Sequence, residues 1–251
     1  MAGAALSRTP EHAARQAGRI QPQPATDPVA VVVLLDVLPR HRLWGFTCFV
    51  LGKWQFRRMP GLLFCKVMGS GHGGGFGLRP SASRQARFCI FQDEASADRF
   101  IASQTVRKIA NRCSEFFSVK LRAYSSKGSW SGTTMALTAD GPGEGPVAAL
   151  TRASIRPTRA WQFWRMQPPS EVALQNAPGC LLATGVGEAP FLRQATITLW
   201  QDVQSMDDYA RSGAHLAAIR AAYDGNFFSE SMFVRFRPID ARGCWRGRHY
   251  G

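Results

Sequence analysis

Acidic residues are scarce in this chain: 17 Asp and Glu stand against 31 Lys and Arg, a formal net charge of +14 over 251 residues. With so few carboxylates, no paired acids stand out for general acid–base work. The five histidines, at 12, 41, 72, 215 and 249, are isolated from one another, so no cluster of two histidines and a carboxylate can be read at metal-ligand spacing. Nor does any serine, histidine and acid arrangement suggest nucleophilic catalysis. The six cysteines, at 48, 65, 89, 113, 180 and 244, include no C-x-x-C pair. That argues against zinc and iron–sulfur sites, and most of these thiols are expected to be small buried hydrophobes in a reducing cytoplasm. No G-x-G-x-x-G opens a strand–helix unit; the run GSGHGGGFG from Gly69 is expected to connect two strands, which leaves a built-in flavin or nicotinamide site without support. Long apolar runs are missing too. VAVVVLLDVLP from Val29 is too short to cross a bilayer, and Asp36, Pro39, Arg40, His41 and Arg42 separate it from LWGFTCFVL, so any membrane contact is peripheral.

What is present begins with the charge. Arginine supplies most of it and is scattered over the whole chain, a pattern that suits a positive surface rather than a basic tail. Such a surface favours an anionic partner, and the absence of a reading motif makes nucleic acid an unexpected one. Residues 1–28 mix alanine, arginine, glutamine and proline and are expected to form a disordered extension. From Gly179 to Tyr223 the pattern reads strand, glycine-containing turn, strand and helical segment. Thr196, Thr198 and Trp200 alternate with Ile197 and Leu199, as a half-buried strand requires. Ser212 suits a helix cap, which puts His215 in a first turn and on one face with Ile219 and Ala222. One imidazole aimed into an apolar pocket is one reading of this spacing, and a histidine that merely packs on the sheet is the other.

Laying one half of the chain over the other exposes a duplication. FCKVMGSG from Phe64 resembles CLLATGVG from Cys180, an offset of 116. ARFCIFQDEASADRFIAS from Ala86 resembles QATITLWQDVQSMDDYARS from Gln194, with Gln92-Asp93 over Gln201-Asp202 at an offset of 109. FFSVKLRAYSSKGSWSG from Phe116 resembles MFVRFRPIDARGCWRG from Met232, placing Trp130 over Trp245 within G-x-W-x-G at an offset of 115. Each half then reads β-α-β-β-α-β; in the second, VAALTRASIRP, RAWQFWRM, GCLLATGVG, QATITLW, the segment 202–223 and SMFVRFRPI. Such a unit forms a four-stranded antiparallel sheet with helices on one face and an apolar surface on the other, so two units are expected to press sheet to sheet. The predicted fold is α+β, a tandem duplication of ferredoxin-like units closing into a fused dimeric α+β barrel. Its halves span 29–137 and 147–251, joined by the glycine- and proline-rich linker 138–146. The halves differ at one telling position: Val106 falls opposite His215.

The blocks ALTRASIR with RAWQFW, TGVGEAPF, TITLWQD with SMDDYAR and AHLAAIRA, FVRFRPI with G-x-W-x-G, and KVMGSGHGGGF in the first half resemble the spheroidene monooxygenase family of bacterial carotenoid synthesis. The resemblance covers roughly residues 30–250. It implies a haem-containing, O2-dependent monooxygenase, supplied with electrons by a partner such as reduced ferredoxin, that oxygenates acyclic carotenoids beside their methoxy-bearing end and finishes at a ketone. The segment DDYARSGAHLAAIR is also similar to the helix that supplies the haem histidine in small ferredoxin-like haem monooxygenases, and that role is carried onto His215 as the iron's axial ligand.

Within that resemblance Arg220 and Arg193 are candidates to pair with haem propionates. Trp200, Phe191, Phe163 and Trp164 are candidates to line a channel for a long polyene, and His72 is a candidate distal group. Each has a plainer reading, as solvated arginine, core aromatic or loop residue. A basic surface suits docking of an acidic ferredoxin, and the expected location is the bacterial cytoplasm or the inner-membrane periphery. Two other functions remain open: a haem-binding or haem-degrading protein on the same scaffold, and a cofactor-free module whose basic face binds lipid or nucleic acid.

Overall fold

The computed structural model describes residues 26–56, 58–72, 79–189, 191–211 and 213–251; the side chains at 53, 166–171, 175, 214, 215, 218, 219 and 223 lie outside that description. The first half runs β1 (Val29–Val37), α1 (Arg42–Val50), α2 (Gly52–Phe56), β2 (Leu62–Gly71), β3 (Pro80–Phe91), α3 (Glu94–Ile101), α4 (Gln104–Ala110) and β4 (Cys113–Gly128). The second runs β5 (Val147–Ile155), α5 (Ala160–Gln175), β6 (Cys180–Ala189), β7 (Arg193–Trp200), α6 (Val203–Ala210), α7 (Gly213–Asp224), β8 (Phe228–Trp245) and a short β9 (Arg248–Tyr250).

Strand order is β4-β1-β3-β2-β6-β7-β5-β8-β9, and β4 also pairs with β8. Eight antiparallel strands therefore close into a barrel, each half contributing a ferredoxin-like sheet, with β9 appended to β8. The two seams are unequal. At one, β2 meets β6 only through Gly69 with Gly187 and Ser70 with Val186. At the other, a ladder runs from Phe117 opposite Gly243 to Gly128 opposite Met232. This ladder skips Tyr124 on one strand and Ile239 on the other, two positions 115 apart, so its irregularities repeat with the duplication.

Alternation decides what each strand buries. In β1 the run VAVVVLLDV is apolar on both faces because the strand is covered on both: Ala30, Val32 and Leu34 point into the barrel, while Val29, Val31, Val33 and Leu35 meet the helices. The barrel interior is filled by side chains from both halves, including Met68, Phe88, Phe117, Leu150, Ile197 and Phe236, so it is a core and not a channel. Trp130 and Trp245 both belong to that core.

Each tryptophan sits in the same turn. Gly128, Ser131 and Gly132 adopt φ of 84°, 53° and 76°; Gly243, Arg246 and Gly247 adopt 103°, 54° and 75°. Glu230 accepts a hydrogen bond from the Gly132 amide at 3.1 Å, and Glu115, its counterpart 115 residues earlier, accepts from Gly247 at 2.7 Å. Each half thus secures the turn of the other. The helix starts repeat as well: Asp93 caps α3 through the Ser96 amide at 2.6 Å, and Asp202 caps α6 through Ser205 at 2.7 Å.

Several expectations change in detail. Since Leu62 and Cys180 pair with Phe91 and Trp200 respectively, the structural offset between β2 and β6 is 118, not the 116 read from sequence. A slip of two residues leaves every side chain on its proper face, so strand alternation could not detect it. The helical segment after Asp202 is two helices, the second opening on Gly213 at φ 55°. The last strand extends well past Ile239, because Pro238 lies beyond the end of the β5 pairing and beside the bulge at Ile239. Of the cysteines only Cys48 and Cys89 are fully buried; the other four are partly buried, and none is in a disulfide. The 73–78 part of the glycine loop, residues 1–25 of the expected disordered extension and the Ser212 cap lie outside the described residues.

A Cβ on Gly128 would overlap the Ser231 carbonyl oxygen, and one on Gly243 the Phe116 carbonyl oxygen, whereas one on Gly132 meets open space. Gly128→Ala and Gly243→Ala are therefore expected to lower unfolding stability by about 3 kcal/mol each, against about 1 kcal/mol for Gly132→Ala, in urea melts.

Candidate functional site

The two halves diverge most on the helix-side face of their sheets. Register places Val31, Val33 and Leu35 of β1 where β5 carries Ala149, Thr151 and Ala153, and Val67, Arg87 and Cys89 where β6 and β7 carry Gly185, Thr196 and Thr198. In the first half this face is sealed: Val31, Val33, Leu35, Phe56, Cys89, Phe91, Phe100, Val106 and Ile109 form one buried cluster. In the second, the matching cluster is reduced to Val147, Leu174, Ala183, Trp200 and Met206 at one end. Ala149, Thr151, Gln194 and Thr196 are only half-buried. The helix above differs as well. In the first half α4 packs on β4, but α7 has α5 and α6 as its main packing partners, with no strand among them. A floor of small residues beneath a helix whose main packing partners are other helices makes this face the candidate cleft.

His215 is the third residue of α7, as Val106 is of α4; its side chain lies outside the described residues. Phe163, Trp164 and Phe191 come together at the end of the cleft near the β7 start, joined by Phe228, which the sequence reading did not single out. Ring centroids are 5.4 Å apart for Phe163–Trp164, 6.0 Å for Phe163–Phe228 and 6.1 Å for Trp164–Phe191, and Trp164 Nε1 donates to the Phe191 carbonyl at 3.0 Å. Trp200 is on the same face but at the far end, buried against Tyr209 at 5.4 Å and donating to Thr198 Oγ1 at 2.9 Å. Arg220 is exposed on α7. Arg193 is exposed at the start of β7 and shares the barrel-facing parity of Ala195 and Ile197. His72 is exposed beyond β2, its amide donating to the Arg79 carbonyl at 2.8 Å.

A second cluster, absent from the sequence reading, closes one end of the barrel interior. Lys66 Nζ lies 2.7 Å from Glu188 Oε1 and 2.8 Å from Ser131 Oγ. Trp130 Nε1 donates to Glu188 Oε2 at 2.8 Å. Arg152, fully buried, pairs with Glu230 and reaches Glu188 at 3.6 Å. Both cations also face the Trp130 ring, at 5.8 Å and 5.5 Å from its centroid. The matching first-half positions hold Leu34 for Arg152 and Ser70 for Glu188, and Trp245 Nε1 is buried with no partner among the described residues. Burial opposes ionisation of Glu188, yet hydrogen bonds from Lys66 and Trp130 and the charge of Arg152 hold its carboxyl below the usual range. Glu230 is likewise lowered against burial by the Gly132 amide and Arg152. The cluster joins β2, β5, β6, β8 and the Trp130 turn at one end of the barrel. Charged residues within alternating strands, Lys66 in FCKVM and Arg152 in LTRAS, were the available signal.

No family model matches the chain. Among curated proteins, a spheroidene monooxygenase from Rubrivivax gelatinosus is 53% identical over 224 residues, covering 89% of this chain and 87% of that protein. A spheroidene monooxygenase from Rhodobacter capsulatus is 31% identical over 210 residues, covering 82% of this chain and 87% of that one. Among solved structures, an aldoxime dehydratase superposes with a TM-score of 0.60 at 10% identity, covering 88% of this chain and 86% of that chain, a likeness of fold.

Because the Glu188 and Glu230 carboxyls are lowered in the folded state, their contribution to stability is present above the unfolded carboxylate value of about 4.3 and is lost as pH falls through the lower folded values. Arg152→Leu, which installs the first-half residue, is expected to cost about 3 kcal/mol at neutral pH. It should also move the acid-unfolding midpoint to higher pH when circular dichroism is followed during acid titration.

Proposed function

This chain belongs to the spheroidene monooxygenase family, and on that premise we propose that it uses O2 to oxygenate an acyclic, spheroidene-like carotenoid, with haem held in the second-half cleft and His215 as axial ligand to its iron. The observation that carries the haem assignment is the half-exposed floor of Ala149, Thr151 and Thr196 beneath a helix that is not seated on its sheet. The residues present fit a flat apolar macrocycle: small side chains below, an aromatic wall at one end and a histidine-bearing helix above.

Inserting oxygen into an unactivated C–H bond is beyond amino-acid side chains, and bound haem supplies the activation of O2. The protein's part is positional. Ala149, Thr151 and Thr196 would hold the group through many small dispersion contacts. The group of Phe163, Trp164, Phe191 and Phe228 offers apolar surface to a polyene and excludes water from the reacting end. Arg220, exposed on the histidine helix, would pair with a propionate; Arg193, exposed at the start of β7, is the second candidate for that role. Reducing equivalents are assigned to a separate donor such as reduced ferredoxin, which the basic surface would attract. No helix among the described residues is long and apolar enough to cross a membrane, and we assign the protein to the cytoplasm with peripheral access to the bilayer that dissolves its substrate.

An absorption spectrum of the purified, haem-supplied protein beside His215→Ala tests the assignment. A Soret band lost or displaced in the variant is the expected result, and an unchanged band removes His215 as ligand. Haem consumed on reduction, with no carotenoid converted in cells supplying spheroidene, would favour a haem-degrading role. Ala149→Val with Thr151→Val, restoring the first-half residues, is expected to gain up to about 0.8 kcal/mol per buried methyl in the haem-free protein while lowering haem uptake.

A further inference from the structure

The apolar residues that the fold leaves uncovered concentrate on α1 and α2. Leu43, Phe46 and Trp54 are 87%, 64% and 70% exposed, and Val50 and Leu51 are each more than half exposed. Leu43, Phe46 and Val50 recur at helical spacing and so share one side of α1, and Trp54 is exposed on the short α2 that follows, whereas Gly45 and Cys48 are buried. Gly45 is forced there, because a Cβ would press on the Val37 side chain. The equivalent helix of the second half, α5, exposes Trp161 and Val172, eleven positions apart with no comparable run between them among its described side chains. A contiguous group of large exposed side chains marks a surface with an occupant.

Charge identifies that occupant. No Asp or Glu occurs between Asp36 and Asp93, while Arg40, Arg42, Lys53, Arg57 and Arg58 bracket the two helices; Arg40, Arg42 and Arg58 are exposed. A second copy docking through the same face would set these cations against themselves. An anionic bilayer accommodates both properties at once, taking the apolar side chains into the headgroup–acyl boundary and the arginines against phosphate. We infer that the α1–α2 face is an interfacial membrane anchor for anionic phospholipid. The inference deepens the proposed carotenoid reaction by placing the enzyme where such a substrate dissolves, but binding itself requires neither haem nor carotenoid.

Co-sedimentation of the full chain with sucrose-loaded phosphatidylcholine vesicles, with and without about 30% phosphatidylglycerol, tests it. The parent is expected to sediment with the anionic vesicles and to be released by high salt. Phe46→Ser with Trp54→Ser, both at exposed positions, should reduce partitioning about tenfold or more. Arg40→Glu with Arg42→Glu should abolish the preference for phosphatidylglycerol, and Trp161→Ser should bind as the parent does. Circular dichroism melts establish that each variant is folded. Parent protein left in the supernatant with anionic vesicles, or a Phe46/Trp54 variant that binds unchanged, overturns the anchor. A dimer in light scattering that depends on Phe46 and Trp54, without vesicle binding, overturns it in favour of self-association. Vesicle binding that persists in a protein showing no Soret band leaves the anchor standing and removes only the haem reading.

Discussion

Each half of this protein forms a four-stranded sheet with an apolar face on the side its helices do not cover, and that face must be taken out of water. The β4–β8 ladder meets this requirement. It runs from Phe117 opposite Gly243 to Gly128 opposite Met232, closes the eight strands into a barrel and lets Val32, Leu34, Phe88, Leu150, Ile197 and Phe236 pack into one interior. Its ends are fastened reciprocally by Glu115 and Glu230, each bonded to the tryptophan turn of the other half. Each half is thus a structural part of its partner, and its apolar inner face has no other cover.

Closure also makes divergence possible. With the shared interior supplied by both halves, the outer face of one can give up its packing without losing the fold. The first half keeps Val31, Val33 and Leu35 under its helices; the second has Ala149, Thr151 and Ala153 there, and a histidine where the first has Val106. Large residues on one side and small ones on the other make a compact scaffold paired with a cleft. The second half carries a second asymmetry, with Arg152 and Glu188 in place of Leu34 and Ser70. A buried ion pair of this kind is poor evidence of net stability, but with Lys66 and Glu230 it holds the Trp130 turn in one arrangement and fills that end of the barrel.

The first half puts its divergence on the outside. Its opening helices present Leu43, Phe46 and Trp54 to solvent within a stretch devoid of acids, while the second-half helix in the same place exposes Trp161 and Val172 among its described side chains. One copy thus carries exposed apolar residues on its opening helices and the other a sheet face of small residues, on a frame that both copies hold closed.

Much of this was legible in the letters alone. Two-residue alternation in TITLW, the matched Gln-Asp pairs before α3 and α6 and the repeated G-x-W-x-G are local signals, and local signals report element type and the duplication. The family resemblance rested on the same blocks, and the helical position of His215 followed from spacing. The offset of β2 against β6 was misread by two residues because a strand looks the same to its sheet after such a slip. The grouping of Phe163, Trp164 and Phe191 apart from Trp200, the cleft under α7 and the Lys66–Glu188–Arg152–Glu230 cluster were decided only by tertiary structure. Each depends on which side chains distant strands bring face to face and on how much volume is left between them, and neither quantity exists until the barrel closes.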